Sequence, residues 1–364
     1  MHISRKITAA AVAAVAALTM AACSSSDDAP VTAASTSPAA TSPTASASEN
    51  AGATDAAFPV TVAGKYGDVT IGSEPQRVVT LGSREHELLY SLGVAPVAVP
   101  ESWQGYPNGT GPWAEQARLD AGAEPQTFPT GELNYEVIAS FQPDLIVGTY
   151  AGLTEDQYAA LSAIAPTLAQ TADFPEYGMT LDAELHLIAK AVGKTAEADQ
   201  VMADIDAQFA DARAAHPEFE GKTGVVAFFY DGNPGVYHST DNRNQFLANL
   251  GLTVDGLDEY VSDQFYITVS AEKLDLLSDY DTVVWQSATT PEVRDTIEAL
   301  PLYPELGVTQ KGGNVWITEP VLEGAFFANS PSSIQYSLDA LVPQLAAALD
   351  GDPATEVPEF TDAA

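Results

Sequence analysis

The sequence carries the same local pattern twice, once in each half of the chain. The stretch 87–94 (ELLYSLGV) resembles 245–252 (QFLANLGL). Further along each half, a capped helix start is followed by a helix and then by an apolar run, at 134–147 in the first half and at 270–285 in the second. Because the two matches occur in the same order on either side of a long helical segment, they predict a pair of similar lobes.

Short β-branched runs alternate with helical stretches in both halves. Residues 77–81 (RVVTL) form such a run, Gly82 and Ser83 supply a turn and an N-cap, and the helix that follows ends at Gly93. Strands separated by helices predict an α/β fold, with mainly parallel sheets flanked by helices in each lobe.

The middle of the chain predicts two successive helices. In the first, Leu181, Leu185, Ile188 and Val192 fall on one apolar stripe. The second, starting at Thr195, would be about 30 Å long, enough to join two small lobes as one rigid helix. The resulting divisions are an N-terminal lobe (58–178), a helical region (179–217), a C-terminal lobe (218–347) and a disordered tail (348–364).

The N-terminus predicts export and lipid attachment. Arg5 and Lys6 form a basic region, residues 7–18 are apolar, and two alanines stand directly before Cys23, the only cysteine of the chain. Since this apolar run is too short to cross a bilayer, residues 1–22 read as a lipoprotein signal peptide, with Cys23 as the lipidated residue.

Residues 23–57 predict a flexible tether. Apart from Cys23, the segment is built mainly of Ser, Thr, Ala, Pro and acidic residues and has no aromatic residue, Leu or Ile. Such a composition cannot bury enough apolar surface to offset its ordering entropy. Its r.m.s. reach of about 30 Å would let a domain work just off a membrane surface.

Charge and motifs exclude several classes of function. The formal net charge is −36, so nucleic acid and anionic membrane surfaces are poor partners. After the signal peptide the only histidines are His86, His186, His216 and His238, with no close pair, so zinc or manganese capture is not expected. No GxSxG or GxGxxG motif is present, and we expect no cofactor and no enzyme activity.

Five segments resemble a known family. Residues 75–81, 89–97 and 134–147 are similar to the periplasmic binding proteins for iron siderophores and cobalamin. Residues 108–113 and 163–167 resemble the actinobacterial ferric-siderophore branch. The resemblance covers about 58–347 and implies a monomer of two lobes joined by one rigid helix, with a ligand between them. It also implies an ABC permease and its ATPase as partners.

Ligands of such folds bind outside the carboxyl ends of the strands. Aromatic rings there could bury the apolar periphery of a ferric siderophore, and arginines could donate to its metal-bound oxygens without competing for iron. The arginine candidates are Arg84, Arg243 and Arg294. The aromatic candidates are Trp103, Trp113, Tyr150, Tyr230, Tyr237, Trp285, Phe326 and Phe327. An aromatic residue at a strand end can equally belong to the core of its lobe.

Glu136 and Glu272 occupy matching places in the two halves, each the second helical residue after its cap. In the resembled family, paired exposed carboxylates at these positions dock onto permease arginines. An acid there also interacts favourably with the helix dipole, by about 0.3–1 kcal/mol, and the two roles are compatible.

Together these features predict a substrate-binding protein, lipid-anchored at the outer face of the cell membrane, that captures a ferric siderophore and delivers it to an ABC importer. Haem and cobalamin remain alternative ligands. Haem would need an axial ligand such as Tyr150, Tyr230 or Tyr237. A lipid-anchored extracellular enzyme using scattered carboxylates is the alternative from another class.

Overall fold

The structure is a computed structural model that describes residues 58–254, 260, 265–286 and 288–361. The signal peptide, Cys23 and the tether lie outside the described residues. The described residues belong to one compact unit, 51–364. Among them, no helix is long and apolar enough to cross a membrane.

The N-terminal lobe is built on a five-stranded parallel sheet with the strand order β5-β4-β3-β6-β7. An antiparallel hairpin, β1 and β2, precedes it. The strands are β1 (Val60–Val62), β2 (Val69–Ile71), β3 (Val78–Thr80), β4 (Ala98–Pro100), β5 (Gln126–Phe128), β6 (Leu145–Gly148) and β7 (Thr167–Ala169). The helices are α1 (Glu85–Ser91), α2 (Glu115–Asp120), α3 (Tyr135–Ser140) and α4 (Glu155–Ser162), with 3₁₀ turns at Pro107–Gly109 and Pro112–Ala114.

Two helices connect the lobes, α5 (Leu181–Val192) and α6 (Thr195–Ala215). The Thr180 side chain accepts a hydrogen bond from the first turn of α5, and Gly193 ends that helix with a left-handed φ of 74°. At 21 residues, α6 is about 32 Å long. Its Phe209 ring lies 5.3 Å from Phe246 of the C-terminal lobe, so the connecting helix is packed into that lobe's core.

The C-terminal lobe has a five-stranded sheet in the order β10-β9-β8-β11-β12. Its strands are β8 (Gly224–Tyr230), β9 (Asn233–Tyr237), β10 (Tyr266–Thr268), β11 (Thr282–Trp285) and β12 (Asn314–Trp316). Its helices are α7 (Asn242–Asn249), α8 (Pro291–Glu298), α9 (Gly307–Gln310), α10 (Pro320–Ala328) and α11 (Pro331–Ala348), with 3₁₀ segments at Pro217–Phe219, Ala271–Leu277 and Tyr303–Glu305.

The two sheets differ in one respect that the repeat pattern does not reveal. Strands β8, β11 and β12 are parallel, but β9 and β10 run antiparallel to their neighbours. The β8–β9 hairpin turns at Asp231 and Gly232, which both have positive φ, at 49° and 78°. An Asp-Gly pair favours this two-residue turn. The predicted fold class is confirmed, with this antiparallel edge as an addition.

Two local predictions were wrong. Helix α1 begins at Glu85 with Arg84 at the N-cap, so Ser83 does not cap it. The tail was expected to be disordered from 348, but its described part packs on the C-terminal lobe. Phe360 lies 5.7 Å from the Tyr336 ring, and Glu359 accepts a 3.0 Å hydrogen bond from Arg294. One aromatic anchor and one ion pair hold a segment whose composition suggests disorder.

Candidate ligand-binding cleft

A cleft opens between the two lobes, with about 610 Å³ of space free of protein atoms, including open solvent at its mouth. Its N-terminal wall comes from the β3–α1 connection and from the long segment between β4 and α2. Trp103 and Trp113 are the first and the last aromatic residues of that segment. The C-terminal wall is one turn of α10, with Gly324, Phe327 and Ala328. The cleft therefore lies beyond the carboxyl ends of the N-terminal strands, where such sheets bind ligands.

Four aromatic rings line this cleft. Trp103 is 58% exposed and lies edge-on to Phe327 across the cleft, 6.3 Å between ring centroids. Tyr106 and Trp113 form a second edge-on pair at 5.7 Å. An exposed tryptophan facing a half-buried phenylalanine from the other lobe leaves apolar surface for a ligand to cover.

Arg84 lies behind the cleft wall and is fully buried. Its guanidinium forms an ion pair with Glu184 of α5 and stands 4.2 Å from the centre of the Tyr150 ring. It also donates to the carbonyl of Ala328, a residue of the cleft wall, at 3.4 Å. The acid that pairs with Arg84 thus comes from α5 and not from its own helix.

Arg243 occupies the equivalent place in the C-terminal lobe, at the start of α7. Asp241 accepts two hydrogen bonds of 2.7 Å from its guanidinium, and both side chains are buried. The guanidinium lies 3.4 Å from the centre of the Tyr237 ring and 5.5 Å from that of Phe327. Each lobe thus presents one arginine that is paired with an acid and stacked on a tyrosine.

A continuous row of rings joins the two arginine sites. Tyr150 lies 5.3 Å from Tyr177, Tyr177 lies 5.5 Å from Phe265, and Phe265 stacks on Tyr237 at 6.4 Å. Sequence reasoning missed Tyr177 and Phe265. Both lie in connections rather than at strand ends, and only their aromatic character in otherwise polar loops could have pointed to them.

Two buried carboxyl groups of α1 lie next to the cleft. Glu87 accepts hydrogen bonds from the Trp113 indole, at 2.9 and 3.1 Å, and from Ser330 at the start of α11. Glu85 accepts one from the backbone N–H of Tyr150 at 2.9 Å. Burial raises the pKa of each carboxyl to about 7, and for Glu85 the nearby Glu184 carboxylate adds to the effect.

His86 and Tyr150 have their titration shifted by burial as well. Burial lowers the pKa of His86 to about 4 and raises the pKa of Tyr150 to about 12. Both side chains are therefore neutral across the physiological range. Tyr150 would therefore have to lose its proton on binding in order to serve as an axial ligand of haem iron.

The eleven arginine and aromatic residues predicted from the sequence to bind ligand fall into three groups. Trp103, Trp113 and Phe327 line the cleft. Arg84, Tyr150, Tyr237 and Arg243 lie directly behind its wall. The other four, described next, lie elsewhere.

Trp285 and Phe326 are interior residues and do not line the cleft. Trp285 stacks on Trp316 at 5.4 Å and donates to Asn314 at 2.8 Å, because β11 is a central strand whose last residue is still covered by the lobe. Phe326 packs edge-on against Phe246 in the core, at 5.4 Å, since it lies on the inward face of α10 next to the outward Phe327.

Arg294 and Tyr230 also lie away from the cleft. Arg294 is on α8, where it binds Glu298 at 2.8 Å and stands over Trp316 at 5.0 Å. Tyr230 is 78% exposed at the tip of the β8–β9 hairpin. Strand β8 continues into this hairpin instead of ending at the sheet edge, which carries Tyr230 outwards.

Glu136 and Glu272 are both exposed and each is the second residue of its helical segment, in α3 and in Ala271–Leu277. The Asn134 side chain caps α3 as predicted. Ser270 precedes the other segment but makes no side-chain capping bond.

Two α/β lobes, a connecting helix and an inter-lobe cleft define a solute-binding protein. The chain belongs to the periplasmic binding protein family, whose members match it over residues 78–318. A periplasmic solute-binding protein from Mycobacterium smegmatis is 35% identical, with a TM-score of 0.67 over 80% of this chain and 98% of that one.

Two further similar proteins are described together with a ligand. The probable siderophore-binding lipoprotein YfiY of Bacillus subtilis is 32% identical over 50% of this chain, and the match spans 53% of YfiY. PiaA of Streptococcus pneumoniae, solved in complex with ferrichrome, has a TM-score of 0.72 at 23% identity, over 80% of this chain and 99% of PiaA. The latter shows likeness of fold.

Proposed function

We propose that this protein captures a ferric siderophore outside the cell membrane and delivers it to the permease and ATPase of an ABC importer. The observation that carries the proposal is the inter-lobe cleft, in which Trp103 of one lobe faces Phe327 of the other and an arginine-tyrosine pair stands behind the wall on each side. Aromatic walls suit the apolar periphery of a chelate, and buried guanidinium groups provide a polar interior behind them.

The named relatives support this choice of ligand. One is named a siderophore-binding lipoprotein, and a structural neighbour was solved with ferrichrome. A lipid anchor at Cys23 and a location at the outer face of the membrane belong to the same proposal. They rest on the sequence around Cys23 and on the lipoprotein name of one relative.

Delivery to a permease is supported by the exposed acids of the two lobes. Glu136 and Glu272 sit at matching places in the two halves of the chain, and neither side chain forms an ion pair or a hydrogen bond with another described residue. Carboxylates displayed on both lobes could engage two basic surfaces of a permease at once.

Tryptophan fluorescence tests the ligand directly, because the four tryptophans divide evenly between the cleft and the core. Trp103 and Trp113 line the cleft, whereas Trp285 and Trp316 stack inside the C-terminal lobe. Ferric siderophores should quench the first pair saturably, and the quenching should persist in Trp285→Phe but shrink in Trp103→Phe. Saturable binding of haem or cobalamin alone, with no response to any ferric siderophore, would refute the proposal.

A further inference from the structure

Among the described residues that line it, the wall of the cleft carries carboxyl groups and no permanently charged cation; its histidine, His86, stays neutral because burial lowers its pKa to about 4. Among the described residues that line it are two glutamates, Glu87 and Glu101, but no lysine or arginine. Glu101 is exposed at the end of β4, and Glu87 is buried behind Trp113. A ligand that enters the cleft therefore meets the aromatic rings and the exposed Glu101 carboxylate first.

The arginines behind the wall do not reverse this balance, because each has an acid of its own. Glu184 forms the ion pair with Arg84, and Asp241 holds Arg243 through two hydrogen bonds. The positive charge of each guanidinium is thus offset at contact distance within the protein. What remains for a ligand is the donor capacity of the guanidinium groups rather than a net positive field.

Two more acids stand near the cleft residue Tyr106: Glu319 at the N-cap of α10 and Glu323 in its first turn. Burial, together with the carboxylates of Glu319 and Glu323, raises the pKa of the cleft residue Tyr106. These two groups are therefore close enough to act on the same ring that a ligand would contact. Acids of both lobes therefore lie close to residues of the cleft, and the protein as a whole is strongly acidic, with a net charge of −36.

Building on the proposed function, we infer that the cleft selects ferric complexes that are neutral or cationic, as trihydroxamates are, and discriminates against anionic complexes such as tricatecholates. A trihydroxamate neutralises ferric iron, and some carry an additional ammonium group. A tricatecholate complex is trianionic and would bring its charge among carboxylates without a compensating cation. Rejection of an unwanted partner by like charge is a common source of specificity.

The four aromatic rings of the wall also favour neutral and cationic ferric complexes. The face of an aromatic ring attracts cations, and the attraction grows when water is removed from the contact. Trp103, Tyr106, Trp113 and Phe327 with the nearby carboxylates can therefore accommodate an ammonium or a polarised amide, and none of them carries a positive charge that would attract an anion.

Binding measured with four probes tests the inference: ferrichrome (neutral), ferrioxamine B (monocationic), ferric enterobactin (trianionic) and ferric citrate (anionic). We expect the first two to bind at least about tenfold tighter than either anionic complex at low ionic strength. Equal or tighter binding of the anionic complexes would overturn the inference and leave the proposed function standing. If none of the four binds, the proposed function itself fails.

A charge-reversal variant separates charge from shape. In Glu101→Lys the affinity ratio of ferrichrome to ferric enterobactin should fall about tenfold, and it should stay unchanged in Glu155→Gln, an exposed acid of α4 that does not line the cleft. The ratio should also shrink at about 1 M salt, where the screening length is only about 3 Å. A ratio that responds to neither Glu101→Lys nor salt would show that shape alone discriminates, and the inference would be wrong.

Discussion

Arg243 stands with its guanidinium 3.4 Å from the centre of the Tyr237 ring, while Asp241 holds the edge of the same guanidinium through two hydrogen bonds of 2.7 Å. The ring covers one face of the cation and the carboxylate fixes its plane. Because the guanidinium also lies 5.5 Å from the centre of the Phe327 ring, which lines the cleft, this unit supports the cleft wall from behind.

Removing the arginine should destabilise the protein more than removing the pair. Arg243→Ala leaves the Asp241 carboxylate buried without its partner, and we expect unfolding to become easier by about 3–5 kcal/mol. The double variant Arg243→Gln with Asp241→Asn removes both charges and should cost clearly less. Urea denaturation of both variants measures the difference. A single variant as stable as the parent would show that the pair is not buried as described.

Trp103→Ala should weaken ligand binding without unfolding the protein. The side chain is 58% exposed and contacts Phe327, so its loss removes ligand-covering surface but little core. We expect an affinity about tenfold lower, with a nearly unchanged melting temperature. Trp285→Ala is the matched contrast, because this buried ring should cost about 3–5 kcal/mol of stability. If Trp103→Ala bound ligand as the parent does, the cleft assignment would fail.

Glu136→Ala combined with Glu272→Ala should abolish ligand uptake by cells and leave ligand affinity intact. Both acids are exposed on their helical segments and neither lines the cleft. Uptake of radiolabelled ferric siderophore by cells carrying the double variant measures the first outcome, and fluorescence titration of the purified protein measures the second. Glu155→Ala, another exposed acid in the first turn of a helix, serves as the control. Normal transport by the double variant would show that Glu136 and Glu272 do not dock onto the permease.

Stability should fall as the pH rises through neutrality. The folded protein raises the pKa of Glu85 from 4.5 to about 7, so it holds this proton more tightly than the unfolded chain does. The stability from the protonated carboxyl is therefore complete below about pH 4.5 and is lost as the pH rises through about 7.

Glu85→Gln should remove this dependence. The variant cannot ionise, and we expect it to gain about 1–3 kcal/mol over the parent near pH 8 and less near pH 5. Denaturation at the two pH values gives the comparison, with the exposed Glu74→Gln as a control. An equal effect of Glu85→Gln at both values would mean that the carboxyl does not change its ionisation there.

The fold was largely predictable because its signals are local. The capped helix start at Asn134 and the start of the long helix at Thr195 are local signals that the structure reproduces. The β8–β9 hairpin was missed because the Asp231–Gly232 turn interrupts what reads as a strand followed by a loop.

The ligand-binding residues were less predictable, because burial in the folded chain decides which side chains line the cleft and which lie in the core. Trp285 and Trp103 are both tryptophans close to strand ends, but the first is covered by Trp316 and the second is open to the cleft. Likewise, Arg84 pairs with Glu184, a residue far away in sequence on α5. Such contacts arise only when the lobes come together, and no local pattern encodes them.

Glu87 bonds the Trp113 indole in one lobe and the Ser330 hydroxyl in the other. The lobes therefore cannot move apart along this seam without giving up a contact that positions the aromatic wall. Moving the lobes apart would therefore also loosen the aromatic wall that binds the ligand. A partner that bound both lobes and increased the distance between them would shorten the residence time of the ligand without contacting the cleft.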